Sequence, residues 1–319
     1  MISRRDFHRR LAAGALAGVT GSLLSSLPRL QAQDETEIAK PSVPYIDMHT
    51  HIGQYTDPEK NLPASELVAW MDAHYIEKAV VLPLVSPEST LFLQPPELAL
   101  AAAKEYPDRL IPFCCYDPRH AKHVGAEALV RHLRRYKDMG AKGFGEHKVG
   151  LPFNDPLMMR VYAACEEVGL PILFHLDTIR GTDQPGLPNL EEALATFPSL
   201  TFIGHGPGWW ASISGDVESL GGYPKGDVAP DGAIDRLMEQ YPNIYGDLSA
   251  GSGNNAIARD MEFGREFLIR RQDRICFGTD FLAPGQAVPQ FATLQAMKLP
   301  PEVEEKVFRG NAIRILDLG

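Results

Sequence analysis

The run Tyr45-Ile-Asp-Met-His-Thr-His-Ile52 decides how the rest of the chain is read. An apolar segment ends in two histidines one residue apart. A strand sends alternate side chains to one face, so His49 and His51 are expected to point the same way from its end. Two neutral imidazoles side by side suit a borderline-soft divalent cation such as zinc. An ordinary strand end can also carry a His-x-His pair, so its meaning depends on what the remaining segments bring beside it.

Working outward from this run, short apolar segments alternate with longer helical patterns. Strands are expected at 45–50, 78–85, 110–116, 142–148, 171–176, 201–205, 244–248 and 274–280. Helices are expected at 64–75, 97–105, 125–139, 156–168, 190–196, 234–240, 256–269 and 286–297, with two further pieces, 301–308 and 311–316, packed outside. Eight strands, each followed by a helix, specify a parallel sheet that closes into a single-domain (β/α)8 TIM barrel over residues 43–319. A doubly wound open sheet would bring a Gly-rich phosphate turn after the first strand, and His49-Thr-His-Ile-Gly53 is not one. The connection from Gly206 to Asp231 is unusually long. It follows the sixth strand, on the face where barrel enzymes keep their active sites, and its Trp209 and Trp210 are candidate substrate contacts.

The chain has 319 residues, 44% hydrophobic and 23% charged, with a formal charge of −10. That balance, without a basic stripe beyond the N-terminus, excludes nucleic acid as an expected partner. Residues 1–32 read differently. Ser3-Arg4-Arg5-Asp6-Phe7 precedes an Ala/Gly/Leu-rich stretch from Leu11 to Leu27, too short and too Gly/Ser-rich to span a membrane, and resembles a twin-arginine export signal. The expectation is export of the folded protein to a bacterial periplasm by the twin-arginine machinery, with cleavage near Ala32 and a linker over 33–42. Loss of this segment, with its five arginines and one aspartate, would take the formal charge to about −14. Cys114, Cys115, Cys165 and Cys276 form no spaced framework and read as buried thiols.

The strand ends repeat the signal of the first. The fourth carries Glu146, the fifth ends in His175, the sixth in His205 and the eighth in Asp280. Each lies at the C-terminal end of its strand, the rim that faces the active site in this fold, and convergent titratable groups at one rim are the signature of a site. The segments Ile46-Asp-Met-His-Thr-His51, Pro171-Ile-Leu-Phe-His175, Ile203-Gly-His-Gly206, Phe277-Gly-Thr-Asp280 and Gly310-Asn-Ala-Ile-Arg-Ile-Leu316 together resemble the amidohydrolase superfamily, in its amidohydrolase-related branch of hydrolases and decarboxylases.

That resemblance implies roles. His49, His51, His175 and Asp280 would hold a first divalent metal, with zinc the expected ion and one or two ions per chain. His205 would bind a second metal, or hydrogen-bond substrate or metal-bound water. Asp280 would be the general base. Glu146 would bridge two ions as in two-metal members, or it simply pairs with Lys148 at the rim. Period two puts Phe144, Glu146 and Lys148 on one face, so Lys148 is a candidate for a substrate carboxylate. Asp247, at the end of the seventh strand, either contacts substrate or caps a turn. Arg119 either clamps an anion or forms an ordinary ion pair.

The leading expectation is a metal-dependent hydrolase using a metal-activated water on a small polar ester, lactone, amide or phosphate. The alternative is a metal-dependent decarboxylase of an aromatic or unsaturated acid. A third, of another class, is a non-catalytic binding protein on a decayed enzyme scaffold. The partner in either enzymatic case is a small molecule, and a homo-oligomer is compatible with the sequence.

Overall fold

Strand β1 (Tyr45–Thr50) is buried along its whole length and pairs in parallel with β4 (Ile76–Val81), which pairs with β5 (Leu110–Pro112). The computed structural model to which these elements belong describes residues 38–319, so the export signal expected at 1–32 and the first part of the linker lie outside the described residues. A second parallel sheet runs β6 (Phe144–His147), β7 (Ile172–His175), β8 (Phe202–His205), β9 (Ile244–Asp247) and β10 (Ile275–Cys276) in chain order. Bridges at Cys114–Phe144 and Thr50–Phe281 join the two sheets. The bonds Cys114 N to Gly143 O (2.9 Å) and Met48 N to Phe277 O (3.0 Å) complete the ring. This is the (β/α)8 barrel expected from eight strand–helix units. Among the described residues no helix is long and apolar enough to cross a membrane.

The helices are α1 (Ala64–Ala73), α2 (Pro96–Glu105), α3 (Ala126–Asp138), α4 (Pro156–Val168), α5 (Pro188–Thr196), α6 (Pro207–Ala211), α7 (Ala233–Gln240), α8 (Ala250–Ala258), α9 (Met261–Arg270), α10 (Gln290–Met297), α11 (Pro301–Glu305) and, after a π-helical turn over Lys306–Gly310, α12 (Asn311–Leu316). Their ends have local causes. For α4, the Asp155 side chain accepts the Leu157 N–H, Pro156 occupies the first turn, and Gly169 ends the helix at φ 70°. The single helix expected over 256–269 is two, because the Asp260 carboxylate accepts the Phe263 N–H and starts a new one. A short hairpin, β2 (Gly53–Gln54) with β3 (Asn61–Leu62), follows β1 and was not foreseen.

Apolar side chains form two layers. The outer one, between strands and helices, includes Tyr45, Phe144, Phe174, Phe202 and Phe277. The inner one fills the barrel with Ile46, Met48, Val80, Leu82, Ile111, Phe113, Leu173, Ile203, Tyr245 and Cys276, and it takes in Ala312 and Leu316 of α12. The tail helix therefore packs on the barrel interior and not outside it as expected, since its apolar face covers side chains the strands alone leave open. Burial of a side chain the size of Leu316 stabilises by about 1.5–3 kcal/mol. All four cysteines are buried free thiols.

Two irregularities aim the site. In β1 the register shifts between Asp47 and Thr50, so Met48 belongs to the inner layer and His49 and His51 still face the mouth. In β6 the ladder shifts between Phe144 and His147 and Gly145 sits at φ 146°. Strict alternation therefore fails there. Phe144 lies in the outer layer, its ring 5.3 Å from that of His147, while Glu146 and Lys148 point inward. The glycines are required: a Cβ on Gly143 would lie 2.3 Å from the Phe113 ring, and one on Gly145 2.5 Å from the Leu173 carbonyl oxygen.

Candidate metal centre

The imidazoles can be assigned tautomers from their outer partners. His49 Nδ1 lies 2.7 Å from Asp247 Oδ2, and His51 Nδ1 lies 2.8 Å from the Leu82 carbonyl oxygen. Both acceptors require a donor, so Nδ1–H is the protonated nitrogen in each ring and both Nε2 atoms carry lone pairs. Those two lone pairs face each other at 3.2 Å. His205 follows the same rule. Ser249 Oγ donates to Asp247 Oδ2 (2.7 Å) and accepts from His205 Nδ1 (2.8 Å), leaving His205 Nε2 as a lone pair as well.

Carboxylates complete the cluster. Asp280 Oδ1 is 3.5 Å from His49 Nε2 and 3.4 Å from His51 Nε2. Glu146 Oε2 is 3.9 and 3.6 Å from the same two atoms. Ligands about 2.1 Å from a tetrahedral ion would be separated by roughly 3.4 Å. Buried lone pairs and anions converging at this spacing repel one another unless a cation lies among them, so the donor set fits a divalent metal. His49, His51, Glu146 and Asp280 would hold it, with His205 adjoining His49 and Asp280.

Glu146 faces two ways. Its Oε1 lies 2.8 Å from His175 Nδ1 and 3.7 Å from His205 Nε2, while Lys148 Nζ pairs with Oε2 at 3.2 Å. Both readings of the fourth strand thus coexist: Glu146 adjoins the histidines and is paired with Lys148. Burial alone would raise its pKa, but Lys148 and His175 outweigh that and hold it well below the ordinary range. His175 is grouped with Glu146 and His205, not with His49, His51 and Asp280. Its Nε2 is 2.9 Å from Asp177 Oδ2, which also accepts from Arg180 Nε at 2.8 Å. The expectation that His175 shares an ion with His49 is therefore not met in this geometry, because both of its ring nitrogens are engaged by carboxylates.

The expectations that Asp247, Trp209 and Trp210 contact substrate are corrected by burial. Asp247 has no exposed surface and touches His49, His205 and Ser249, so it orients ligands from beneath and does not meet substrate. Trp209 and Trp210 are core residues. The Trp209 indole occupies the space above Gly204, where a Cβ would fall 2.5 Å from it, and Trp210 Nε1 donates to the Asp247 carbonyl at 2.8 Å. Neither lines the mouth. Lys148 is buried and lies 5.8 Å from the Tyr55 ring centroid. Arg119 forms a bidentate pair with Glu88 at 2.7 Å and is not a free anion clamp.

Sequence reasoning missed Asp177, Arg180 and Ser249, which sit in turns just past the strands and carry no pattern of their own. Asp280 is the least enclosed of the site carboxylates, its side chain 16% exposed against none for Glu146 and Asp247. Burial raises its pKa, and His49, His51 and His205 lower it whenever they carry charge. Burial pushes Asp47, which accepts from Thr279 and the His49 N–H, up to about 7.

A family model described as amidohydrolase matches residues 46–318. No curated protein matches the sequence. Solved structures similar to the chain include an uncharacterised TIM-barrel protein from Bordetella bronchiseptica (17% identity, 86% of this chain and 99% of that one, TM-score 0.63). A probable 2-pyrone-4,6-dicarboxylic acid hydrolase from Acinetobacter baumannii aligns at 13% identity over 86% and 99% (TM-score 0.56). A dihydroxybenzoic acid decarboxylase from a Polaromonas species, with bound manganese and 2-nitroresorcinol, aligns at 17% identity over 86% and 97% (TM-score 0.53). At these identities the likeness establishes the fold. The similar structures with a named reaction are nevertheless mostly decarboxylases of dihydroxybenzoate or carboxyvanillate, which overturns hydrolysis as the leading expectation in favour of its decarboxylase alternative.

Proposed function

Because the chain belongs to the amidohydrolase family, we propose that it is a metal-dependent decarboxylase acting on a small aromatic or unsaturated carboxylic acid. The observation that carries this reading is Asp280, a carboxylate opening toward the mouth beside the histidine cluster, with the Lys148 ammonium held inside the same site. Decarboxylation replaces a carbon–carbon bond by a carbon–hydrogen bond, so it needs a cation for the departing carboxylate and a group that hands a proton to carbon.

When bound, the divalent ion polarises a substrate oxygen and neutralises the carboxylates around it. The protein's own groups do the rest. Lys148 Nζ holds the anionic end of the acid. Asp280, ionised at neutral pH, takes the proton of a substrate hydroxyl and returns it to the ring carbon that bears the carboxylate. The bond to the carboxylate carbon then breaks, its electron pair restores the ring, carbon dioxide leaves, and the phenolate regains a proton from water. Asp247 and the Leu82 carbonyl keep the His49 and His51 lone pairs aimed inward throughout.

Charge balance supports one ion per chain. Glu146, Asp177, Asp247 and Asp280 are held below the ordinary carboxylate range, and Lys148 and Arg180 are the cations among them, so one divalent ion brings the set to neutrality. The manganese in similar decarboxylases makes that ion the first to supply, ahead of the zinc suggested by the histidines. An intact donor set speaks against a decayed binding scaffold. The twin-arginine pattern supports export, which loss of periplasmic accumulation in an Arg4→Lys, Arg5→Lys variant would check.

The test is carbon dioxide release from a panel of hydroxybenzoates and unsaturated acids by the manganese-loaded protein. At manganese concentrations that keep the variant loaded, Asp280→Asn should lose roughly a thousandfold in rate. An unchanged rate would remove Asp280 from the mechanism. No release from any acid by metal-loaded enzyme would overturn the reaction class.

A further inference from the structure

The long connection from Gly206 to Asp231 contributes nothing to the chemistry above, yet its middle crosses the barrel mouth. Gly221 packs on Thr178, three residues beyond the end of β7: a Cβ on Gly221 would lie 2.9 Å from Thr178 Cγ2. Tyr223 rests on Gly251, four residues beyond the end of β9, where a Cβ would lie 3.2 Å from Tyr223 Cε2 and 3.3 Å from its hydroxyl oxygen. Strand β8 lies between β7 and β9 and ends in His205. The segment Gly221–Tyr223 is therefore a strap over the end of β8.

The strap is tied down on its far side. Asn255 Nδ2 donates to the Pro224 carbonyl at 3.1 Å, Arg259 NH1 donates to those of Gly226 (3.2 Å) and Asp227 (3.4 Å), and the Val228 N–H donates to Asp260 Oδ2 at 3.2 Å. The shelf beneath Tyr223 is fixed to the site, since Ala250 N donates to the carbonyl of Thr279, the residue before Asp280, at 3.3 Å. Despite these ties the Tyr223 side chain is left 52% exposed, and its hydroxyl has no hydrogen-bond partner among the described residues. Burial, and after it the Asp280 charge, push the phenol above its ordinary range. A latched loop that leaves an aromatic ring half-exposed on the shelf tied to Thr279, its hydroxyl without a protein partner among the described residues, is organised for a ligand.

We infer that Tyr223 is a substrate-contacting residue that selects among acids, its ring packing on a planar substrate and its hydroxyl meeting a polar ring substituent. This rests on the decarboxylase reading for its substrate class. Losing one aromatic contact of this kind weakens binding by about tenfold.

The experiment compares wild type, Tyr223→Ala and Tyr223→Phe as full-length, manganese-loaded enzyme. It measures KM and kcat on the accepted acids and, independently, calorimetric binding of 2-nitrophenol, a planar phenol with no carboxylate to lose. Tyr223→Ala should raise KM and weaken 2-nitrophenol about tenfold, with kcat within about twofold. Tyr223→Phe should restore binding of acids without a polar distal substituent and fail to restore those that have one. Unchanged KM and unchanged 2-nitrophenol binding in Tyr223→Ala overturn the inference, as does wild-type enzyme that does not bind 2-nitrophenol. If no acid is decarboxylated yet Tyr223→Ala still loses 2-nitrophenol, the contact stands and the reaction class falls.

Discussion

The lower and upper halves of the barrel interior are built from the same strands and differ in almost everything else. Leu173 and His175 are two residues apart on β7, Ile203 and His205 on β8, Tyr245 and Asp247 on β9. In each pair the first side chain joins the apolar inner layer closed by Ala312 and Leu316, and the second enters the polar cluster around His49 and Glu146. One step of 3.2–3.4 Å per residue along a strand thus separates burial that stabilises from burial that costs free energy until a cation arrives. The lesson is that the lower layer lets the upper one exist. Lone pairs and carboxylates can be crowded together only on a base that does not move.

The sharpest way to break this division is to weaken the base. Leu316→Ala removes a side chain that is 2% exposed and packed on the inner layer, and should cost about 3 kcal/mol of stability. KM and kcat of the folded enzyme at low temperature should stay within about twofold. Thermal unfolding and steady-state kinetics on one preparation check both. A large change in kcat would mean that the two layers are not independent.

The converse substitution lies in the upper layer. Asp247→Asn keeps the shape but offers His49 an amide, so the ring loses the charged partner that selects its tautomer. Metal affinity should fall ten- to hundredfold, about 1.4–2.7 kcal/mol, as read by competition with a chelator. The unfolding midpoint of the metal-free protein should fall modestly as well, because, against its burial, His49 and His205 hold the Asp247 carboxylate below its ordinary range and that contribution to the fold is lost. A fall in metal-free stability with unchanged metal affinity would return Asp247 to a purely structural role.

Much of this contrast is legible in the sequence because it rests on period two. β1 and β8 end on the expected residues, α4 and α12 span the expected ranges, and His49, Glu146 and His205 stand at strand ends where the pattern puts them, while His51 lies one residue past β1 and Asp280 four past β10. What escaped reading has physical causes of another kind. The shift at Gly145 breaks alternation, so Phe144 and Glu146 part company. Trp209 and Trp210 look available in a Gly-rich loop, and only the missing side chains of Gly204 and Gly246 on the strands behind them reveal space to bury them. The inward packing of α12 depends on barrel closure, which no local pattern encodes. Asp177 and Ser249 act through turns whose hydrogen bonds leave no periodic trace.

The smallest expected effect asks whether the charged rim above the site belongs with its chemistry or with its scaffold. Arg119 binds Glu88 through both terminal nitrogens and Asp117 through Nε at 2.9 Å, tying the loops after β4 and β5 together. The Arg119 hydrogen bonds lower the Glu88 carboxyl. Burial would raise that of Asp117, but the Arg119 side chain and N–H outweigh it and hold it below the ordinary range. Carboxyls depressed in the folded state add stability above their unfolded pKa of about 4, and the contribution is lost as pH falls through the lower folded values. Wild type should therefore exceed Arg119→Gln by about 1 kcal/mol at pH 7, modest because Arg119 and Glu88 are 31% and 24% exposed. That gap should narrow as pH drops below about 4. Denaturant titrations of both proteins at pH 7, 5 and 3.5 follow it directly. A gap independent of pH would assign Arg119 to packing alone, and a loss of activity at pH 7 without a loss of stability would move it from the scaffold into the site.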